Sequence, residues 1–277
     1  MRIRASMLPA YADCPRRAAA RQFRKMIERA GFALRQTLPS IGASVGTATH
    51  AVIDDFFKAK LAGSEFDEAK AVDAAMAGLQ EEVAPGCVWD DSTPSVEVAR
   101  QQVRRMAAAY IHGGGTQKIV PLAVELQLEA DISDGWQLTG RVDLVAAHPD
   151  GGAWLRDYKT GGVVRPHFSQ LGGYSLLYRS NPPDGLPNEV SAATIDFIHR
   201  TPKTRSQKEP ASTEYHVGLC ESEAWDVVHR IKQEVSEFQR TGKPNVFPSN
   251  FNSMLCTPVY CPAHGTTWCP LSSTLNR

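Results

Sequence analysis

The sequence predicts an α/β protein in which a helical N-terminal part precedes a sheet. Three observations lead to this prediction. Up to about residue 115 the apolar residues recur at the 3.6-residue period of amphipathic helices. From Ile119 onward they alternate or run continuously, as they do in strands. Hydrophobic residues make up 42 % of the 277 residues, which is enough for a sizeable core.

The N-terminal part is expected to hold four amphipathic helices. Ser6 can cap the first of them, which continues as an Ala- and Arg-rich stretch, and small residues open the second. The predicted helices cover residues 5–30, 42–61, 65–82 and 94–112.

The second half of the chain carries the strands. The turn signals SDG and HPDGG separate three of them, which predicts an antiparallel meander. The predicted strands are 119–130, 136–147, 153–159, 190–199 and a short one near 213–217, and the predicted helices are 166–178 and 221–240. We therefore expect a single domain with three parts: a helical part (1–115), an α/β core (116–241) and an irregular cysteine-rich tail (242–277).

Charge and hydropathy exclude some classes of protein. The net formal charge is zero, so no overall positive field indicates nucleic acid. Residues 1–40 nevertheless hold nine Arg and Lys against two Asp and Glu. This excess fits either a solvated helix face or a segment near a nucleic-acid backbone. With no signal peptide and no run long enough to cross a bilayer, we expect a cytoplasmic protein without membrane contact, whose six cysteines are not disulfide-bonded.

Two carboxylates and a lysine stand at the ends of two adjacent predicted strands. Asp143 lies among apolar neighbours, where a charge is costly unless it is paired or binds a metal. Asp157 ends the next strand, and Lys159 follows on the same strand face. Carboxylate oxygens suit Mg²⁺ or Mn²⁺, and a lysine beside them can stabilise a phosphoryl group. The alternative is a salt-bridged strand residue followed by an ordinary hairpin end.

Four motifs together resemble the PD-(D/E)XK nuclease superfamily, and specifically its RecB-like branch. They are GTATH (46–50), GRVD (140–143), DYKTGG (157–162) and QLGGY (170–174), and the resemblance covers most of the chain. It implies a restriction-endonuclease-like core in which helices flank a central mixed sheet.

The resemblance also implies roles for individual residues. His50, Asp143 and Asp157 would bind the metal, with the backbone carbonyl of Tyr158 as a further ligand and Lys159 in the catalytic role.

Three more residues would support this site. Gln170 and Tyr174, one helical turn apart, would contact DNA or order the site. Glu125, on the strand before Asp143, is a supporting candidate; a simple salt bridge is the alternative for it.

The cysteines leave two metal centres open. Cys256, Cys261 and Cys269 cluster in the tail, and with His264 they would make a local zinc site. RecB-like exonucleases instead can carry a [4Fe–4S] cluster, held by one upstream cysteine in a C-P-x-R segment and three near the C-terminus. Cys14 with its following Pro and Arg residues matches that segment, so the resemblance implies Cys14, Cys256, Cys261 and Cys269 as the ligands. The C-x4-C-x7-C spacing differs from the tighter pair of many relatives.

The leading hypothesis is a metal-dependent DNA exonuclease that acts on free DNA ends. We expect it to serve phage recombination or repair and to work with a recombination partner protein. Arg16, Arg17 and Arg21 fall at helical spacings and would contact phosphates; a solvated helix face is the alternative. The competing hypotheses are a non-catalytic DNA-binding subunit and a zinc-dependent nucleic-acid module.

Overall fold

The architecture is built on a mixed sheet of six strands. A computed structural model describes residues 1–113, 115–163 and 167–274. The strands are β1 (Arg2–Arg4), β2 (Pro121–Asp131), β3 (Gln137–Ala147), β4 (Ala153–Gly161), β5 (Val190–His199) and β6 (Ala211–Tyr215). Strand β3 pairs antiparallel with β2 along one edge. Its other edge pairs with β1 in parallel and with β4 antiparallel.

The predicted antiparallel meander of β2, β3 and β4 is confirmed. Strand β5 then adds to β4 in parallel, and β6 pairs antiparallel with β5. The sheet is therefore mixed. The carboxyl end of β4 lies beside the middle of β3, which brings together the two strands that carry the predicted carboxylates.

Helices cover both faces of the sheet. They are α1 (Leu8–Asp13), α2 (Pro15–Gln22), α3 (Arg24–Arg29), α4 (Ile41–Ala62), α5 (Glu68–Val83), α6 (Val96–Ile111), α7 (Phe168–Ser180) and α8 (Val217–Thr241). One apolar core joins α4, α5 and α6 to one face of the sheet. The other core joins α1, α2, α7, α8 and the C-terminal tail to the opposite face. None of the helices within the described residues is long and apolar enough to cross a membrane.

The N-terminal segment differs from the single helix predicted over residues 5–30. It forms a short 3₁₀ turn followed by three helices that break at Cys14 and Phe23. Cys14 is extended, with φ −151° and ψ 96°. The ring of Pro15 disfavours the helical conformation for the residue before it, so the break falls at Cys14. The break turns this cysteine out of the helix and towards the tail.

The remaining element boundaries agree closely with the sequence. Helix α4 and strand β5 match their predicted ranges within a residue, and α8 begins four residues before its predicted start. The predicted start of α7 at Pro166 lies outside the described residues. Strand β1 was not predicted, because three residues are too few to show a period.

The tail is irregular, as predicted, but it belongs to the main core. Phe247 and Trp268 are fully buried. The indole of Trp268 donates a hydrogen bond to the carbonyl oxygen of Arg16 at 3.1 Å. The tail therefore packs directly on the N-terminal helices.

Candidate active site

Helix α4 approaches the end of β4 closely enough to bring His50 to the sheet. The contact depends on Gly46, because a Cβ at this position would lie 2.6 Å from the Thr160 hydroxyl oxygen. Ser40 caps the start of the helix by accepting a hydrogen bond from the Ala43 amide. One turn beyond Gly46, the His50 Nδ1 lies 3.5 Å from Asp143 Oδ2.

Asp143 lies on β3, and its side chain is hydrogen-bonded to β4. Its Oδ2 accepts a hydrogen bond of 2.9 Å from the Tyr158 amide, and the residue is buried. Gly140 permits close packing behind it, since a Cβ there would meet Leu177 and Tyr174 of α7 at 2.9 and 3.0 Å. The glycines of the GTATH and GRVD motifs thus serve close approaches of helix to sheet.

Asp157 lies at the centre of the candidate site and is almost fully buried. Its Oδ2 forms an ion pair of 2.5 Å with the Lys159 ammonium. Its Oδ1 accepts a hydrogen bond of 3.0 Å from the Gln170 side-chain amide. The same amide donates to the Tyr174 hydroxyl at 2.7 Å. The Gln170 and Tyr174 pair therefore orients a carboxylate of the site.

Glu125 stands opposite Asp143 on β2 and has an unusual backbone. The neighbouring pairs, Val124 with Leu144 and Leu126 with Val142, place it across from Asp143. Its φ of 54° is in the left-handed region, which is strained for a residue with a side chain. The carboxylate pairs with exposed Arg141 at 2.9 Å. Glu125 is thus both salt-bridged and beside the site.

Asp54 is a site residue that the sequence motifs did not indicate. It lies one helical turn after His50 and is buried, and within the described residues its Oδ1 has no hydrogen-bond partner. Burial, together with the charges of Glu125 and Asp143, raises its pKa to about 8. The i, i+4 spacing from His50 was the available signal, but that spacing alone does not distinguish a buried carboxylate from a solvated one.

Burial favours the uncharged forms of these groups when no cation is present. Burial, followed by the Lys159 ammonium, lowers the pKa of His50 to about 4, so the imidazole is neutral and can act as a ligand. Burial raises the pKa of both Asp143 and Asp157. A divalent cation would reverse the last effect by favouring the charged carboxylates. In the ranges that the structure describes, no three His, Cys, Asp or Glu side chains are already arranged to hold a single metal ion.

A second group of residues converges away from the sheet. Cys14, Cys256, Cys261 and Cys269 line one small cavity between α2 and the tail, and all four are buried. None of the described cysteines forms a disulfide. The Asn250 amide lies 3.5 Å from Cys14 Sγ. Burial raises the pKa of the Cys261 thiol to about 11, to which Cys14 and Cys256 also contribute. Four buried thiols around one space are a donor set that suits a soft metal centre.

His264 does not join this group. The residue is buried, but it is not among those lining the cysteine cavity, and the nearby charge of Arg35 contributes to lowering its pKa after burial. The local zinc set that includes His264 is therefore not the set that the structure assembles. Cys14, some 240 residues earlier in the chain, completes the group instead.

The predicted DNA contacts of Arg16 and Arg17 need correction. Arg17 is only 3 % exposed, and its guanidinium donates to Ser253 at 2.8 Å and to Asp13 at 2.6 Å. Arg16 donates to the carbonyl oxygens of Phe247 and Pro244 at 3.0 Å. Both hold the tail against α2, so their guanidinium groups are engaged within the protein. Arg21 also donates to the tail, at the Tyr260 carbonyl, but the residue is exposed.

Known proteins resemble this chain in sequence and in fold. The sequence model of the PD-(D/E)XK nuclease superfamily matches residues 2–270. None of the curated proteins matches the chain. A crystal structure of an exonuclease candidate from Eubacterium rectale is similar over 86 % of this chain and 79 % of that one, at 11 % identity and a TM-score of 0.50. At this identity the likeness concerns the fold alone.

An alkaline exonuclease from Laribacter hongkongensis is a more distant match. Its structure is similar over 70 % of this chain and 91 % of its own, at 13 % identity and a TM-score of 0.31. The same exonuclease in complex with dAMP is similar over 73 % and 96 %, at 12 % identity and a TM-score of 0.31.

Proposed function

Because the chain belongs to the PD-(D/E)XK nuclease superfamily, we propose that it is a Mg²⁺- or Mn²⁺-dependent deoxyribonuclease that hydrolyses phosphodiester bonds at DNA ends. One observation carries the proposal. His50, Asp143, Asp157 and Lys159, from one helix and two strands, meet at one place, with the His50 and Asp143 side chains 3.5 Å apart and those of Asp157 and Lys159 2.5 Å apart. The proposed setting, DNA recombination or repair, rests on the motif resemblance.

The residues divide the chemistry among them. His50, Asp143 and Asp157, with the Tyr158 carbonyl, would hold the cation, which supplies charge neutralisation at the phosphoryl group and an acidified water. His50 contributes a neutral imidazole, since its lowered pKa keeps it unprotonated. Lys159 contributes an ammonium that can donate to a phosphate oxygen or to the attacking water. Gln170 and Tyr174 fix the orientation of Asp157 through two hydrogen bonds.

Substitution of the central pair tests the proposal. We expect Asp157→Ala and Lys159→Ala to abolish digestion of linear DNA in Mg²⁺ or Mn²⁺, while both variants still bind DNA. End-labelled linear and circular substrates, single- and double-stranded, would show whether a free end is needed. Cleavage by both variants at the wild-type rate would refute the site, and cleavage of circles would refute the requirement for an end.

We further propose that Cys14, Cys256, Cys261 and Cys269 hold a [4Fe–4S] cluster. Support comes from their shared cavity, in which four buried thiols from the N-terminal segment and the tail come together. Four cysteines are the usual ligand set of such a cluster. Protein purified without oxygen is expected to be brown and to contain iron and sulfide. A colourless protein with stoichiometric zinc would favour a zinc-dependent module instead.

A further inference from the structure

A wide cavity opens beside the candidate active site, between the N-terminal helices and the tail. It has a volume of about 790 Å³ and is lined on one side by Arg21 and Arg24 of α2 and α3. Val259 and Tyr260 of the tail and Ala43 of α4 also line it. We call this cavity the arginine groove.

The arginine groove borders the candidate active site. Ala43 lines both the groove and a smaller opening that contains His50 and Lys159. Lys159 in turn lines a third opening together with Gln170. Each opening thus shares a residue with the next, and a chain lying across Lys159 and Ala43 would reach the groove.

We propose that the arginine groove binds the single-stranded segment of DNA that flanks the scissile phosphate, an inference that rests on the nuclease function proposed above. The chemistry of the walls fits such a segment. Arg21 and Arg24 are also hydrogen-bonded within the protein, but unlike buried Arg17 both keep exposed guanidinium surface. A guanidinium has five N–H donors, so each has donors left for phosphates, and its plane suits the faces of bases. Tyr260 supplies an aromatic ring, on which any base can stack. Among the described residues that line the groove, Glu28 is the only carboxylate, and it is paired with Arg24 at 2.9 Å.

The aromatic wall favours a single strand over a duplex. In a duplex both faces of a base are covered by its stacked neighbours, so the Tyr260 ring can stack only on a base that has left the helix. We therefore expect the strand that enters the groove to be unpaired next to the cut.

One wall of the arginine groove is formed by a tail segment that lies between two cysteines of the cysteine cavity. Val259 and Tyr260 lie between Cys256 and Cys261, and Arg21 donates a hydrogen bond of 2.6 Å to the Tyr260 carbonyl. Arg24 is held in place by donating to the Arg35 carbonyl at 2.6 Å. The groove is thus formed only when the tail is closed on the N-terminal helices.

The test is DNA binding by fluorescence anisotropy in EDTA, which prevents metal-dependent cutting. The probes are a labelled oligo-dT of about 15 nucleotides, a length near the upper end of single-strand site sizes, and a hairpin duplex of similar length. The wild type is expected to bind the single strand more tightly than the duplex. Tyr260→Ala should weaken single-strand binding about tenfold, as expected for loss of one stacked base, whereas Tyr260→Phe should retain it.

The contribution of Arg24 to DNA binding can be measured by the salt dependence of the affinity. Arg24→Gln should weaken binding and reduce the slope of log affinity against log salt by about 0.7, the value for one lost phosphate contact on a single strand. The matched control is Arg29→Gln, because Arg29 is an exposed arginine of the same helix that does not line the groove. It should bind like the wild type.

The outcomes separate this inference from the proposed nuclease function. If the wild type cleaves DNA but Tyr260→Ala and Arg24→Gln bind the single strand as it does, the groove assignment is wrong and the nuclease remains. Tighter binding of the duplex than of the single strand would also overturn the groove. If the single strand binds through Tyr260 and Arg24 but no DNA is cut with Mg²⁺ or Mn²⁺, the groove stands and the catalytic proposal fails.

Discussion

Gln170 acts on the site through Asp157. Its amide donates to the Asp157 carboxylate at 3.0 Å and to the Tyr174 hydroxyl at 2.7 Å, and the residue is buried. Gln170→Met keeps a similar length but removes the donor. We expect it to lower kcat by about 10- to 100-fold, the usual range when a ligand loses its orienting partner. KM and DNA binding should change little.

The control for Gln170→Met is a substitution of Tyr174, the other residue to which the Gln170 amide donates. Tyr174→Phe leaves the bond from Gln170 to Asp157 in place, so steady-state kinetics should show a smaller fall in kcat. If Gln170→Met raised KM and left kcat unchanged, the residue would be a substrate contact instead.

Asp54 should make the metal-free protein lose stability as the pH rises. Its pKa is about 8 in the folded protein, above the ordinary value of 3.8, so between these values the folded state holds a proton that the unfolded state has lost. Folding is then weakened progressively from about pH 4 to about pH 8. Asp54→Asn removes this penalty. We expect a gain of about 5 kcal/mol at pH 8 and less than about 1 kcal/mol at pH 4.

Urea denaturation in EDTA at the two pH values measures this gain. The matched control is Asp55→Asn, because the Asp55 side chain is 50 % exposed on the same helix. It should change stability by less than about 0.5 kcal/mol at either pH. An equal effect of Asp54→Asn at both pH values would show that its carboxyl group is not protonated by burial.

Residue chemistry explains which site residues could be predicted from the sequence. The spacing of the four motifs indicated His50, Asp143, Asp157 and Lys159, and the structure brings these side chains together. Asp54 could not be predicted, because its role depends on burial, which a lone carboxylate on an amphipathic helix does not reveal. The surroundings of Arg17 could not be predicted for the same reason. An arginine beside other arginines suggests solvent or phosphate, yet its partners are Ser253, 236 residues away in the tail, and Asp13 at the end of α1.

At the scale of elements, the distance between α4 and β4 determines where His50 lies relative to the carboxylates of the candidate site. A Cβ at Gly46 would lie 2.6 Å from the Thr160 hydroxyl oxygen, so Gly46→Ala must push the helix and His50 outward or displace Thr160. We expect Gly46→Ala to reduce nuclease activity at least tenfold, since a shift of about 1 Å can cost a hundredfold in rate. Adding Thr160→Ala removes the clashing oxygen and should restore part of the activity.

The control for this contact is another helical glycine. A Cβ at Gly78 of α5 meets nothing within 4 Å among the described residues. Gly78→Ala should therefore stabilise the protein by about 0.5–1 kcal/mol through helix propensity and leave activity unchanged. If Gly46→Ala behaved like Gly78→Ala, the close approach of α4 would not matter to catalysis.

Elements with a clear period were predictable, and those set by tertiary contacts were not. Helices α4 to α6 and strands β2 to β5 show long amphipathic or alternating patterns, and their ranges agree with the structure. The break at Cys14 has a local cause in Pro15, but the Ala-rich sequence on either side concealed it. Strand β1 exists only because three residues pair in parallel with β3, which no local pattern encodes.

At the scale of the whole molecule, the C-terminal tail packs against the N-terminal helices. The two ends of the chain are thereby joined at one junction on the main core. Arg16, Arg17 and Arg21 each donate to tail residues, and Trp268 donates back to α2. The cysteine cavity lies inside this junction. The arginine groove borders it, so a metal centre in the cavity would stabilise both the ends of the chain and the proposed DNA path.

Loss of one cysteine of the cavity should therefore affect the fold as a whole. A cross-link between residues 14 and 256 closes a loop of about 240 residues, which by analogy with a disulfide stabilises by about 5 kcal/mol. For a protein of this size that corresponds to a fall in Tm of roughly 10–20 °C. We expect Cys14→Ser, purified without oxygen, to lose iron and to melt lower by this amount. Cys87→Ser is the control, because Cys87 does not line the cavity, and it should keep both iron and Tm. An unchanged Tm in Cys14→Ser, with iron lost, would mean that hydrogen bonds and packing alone close the tail.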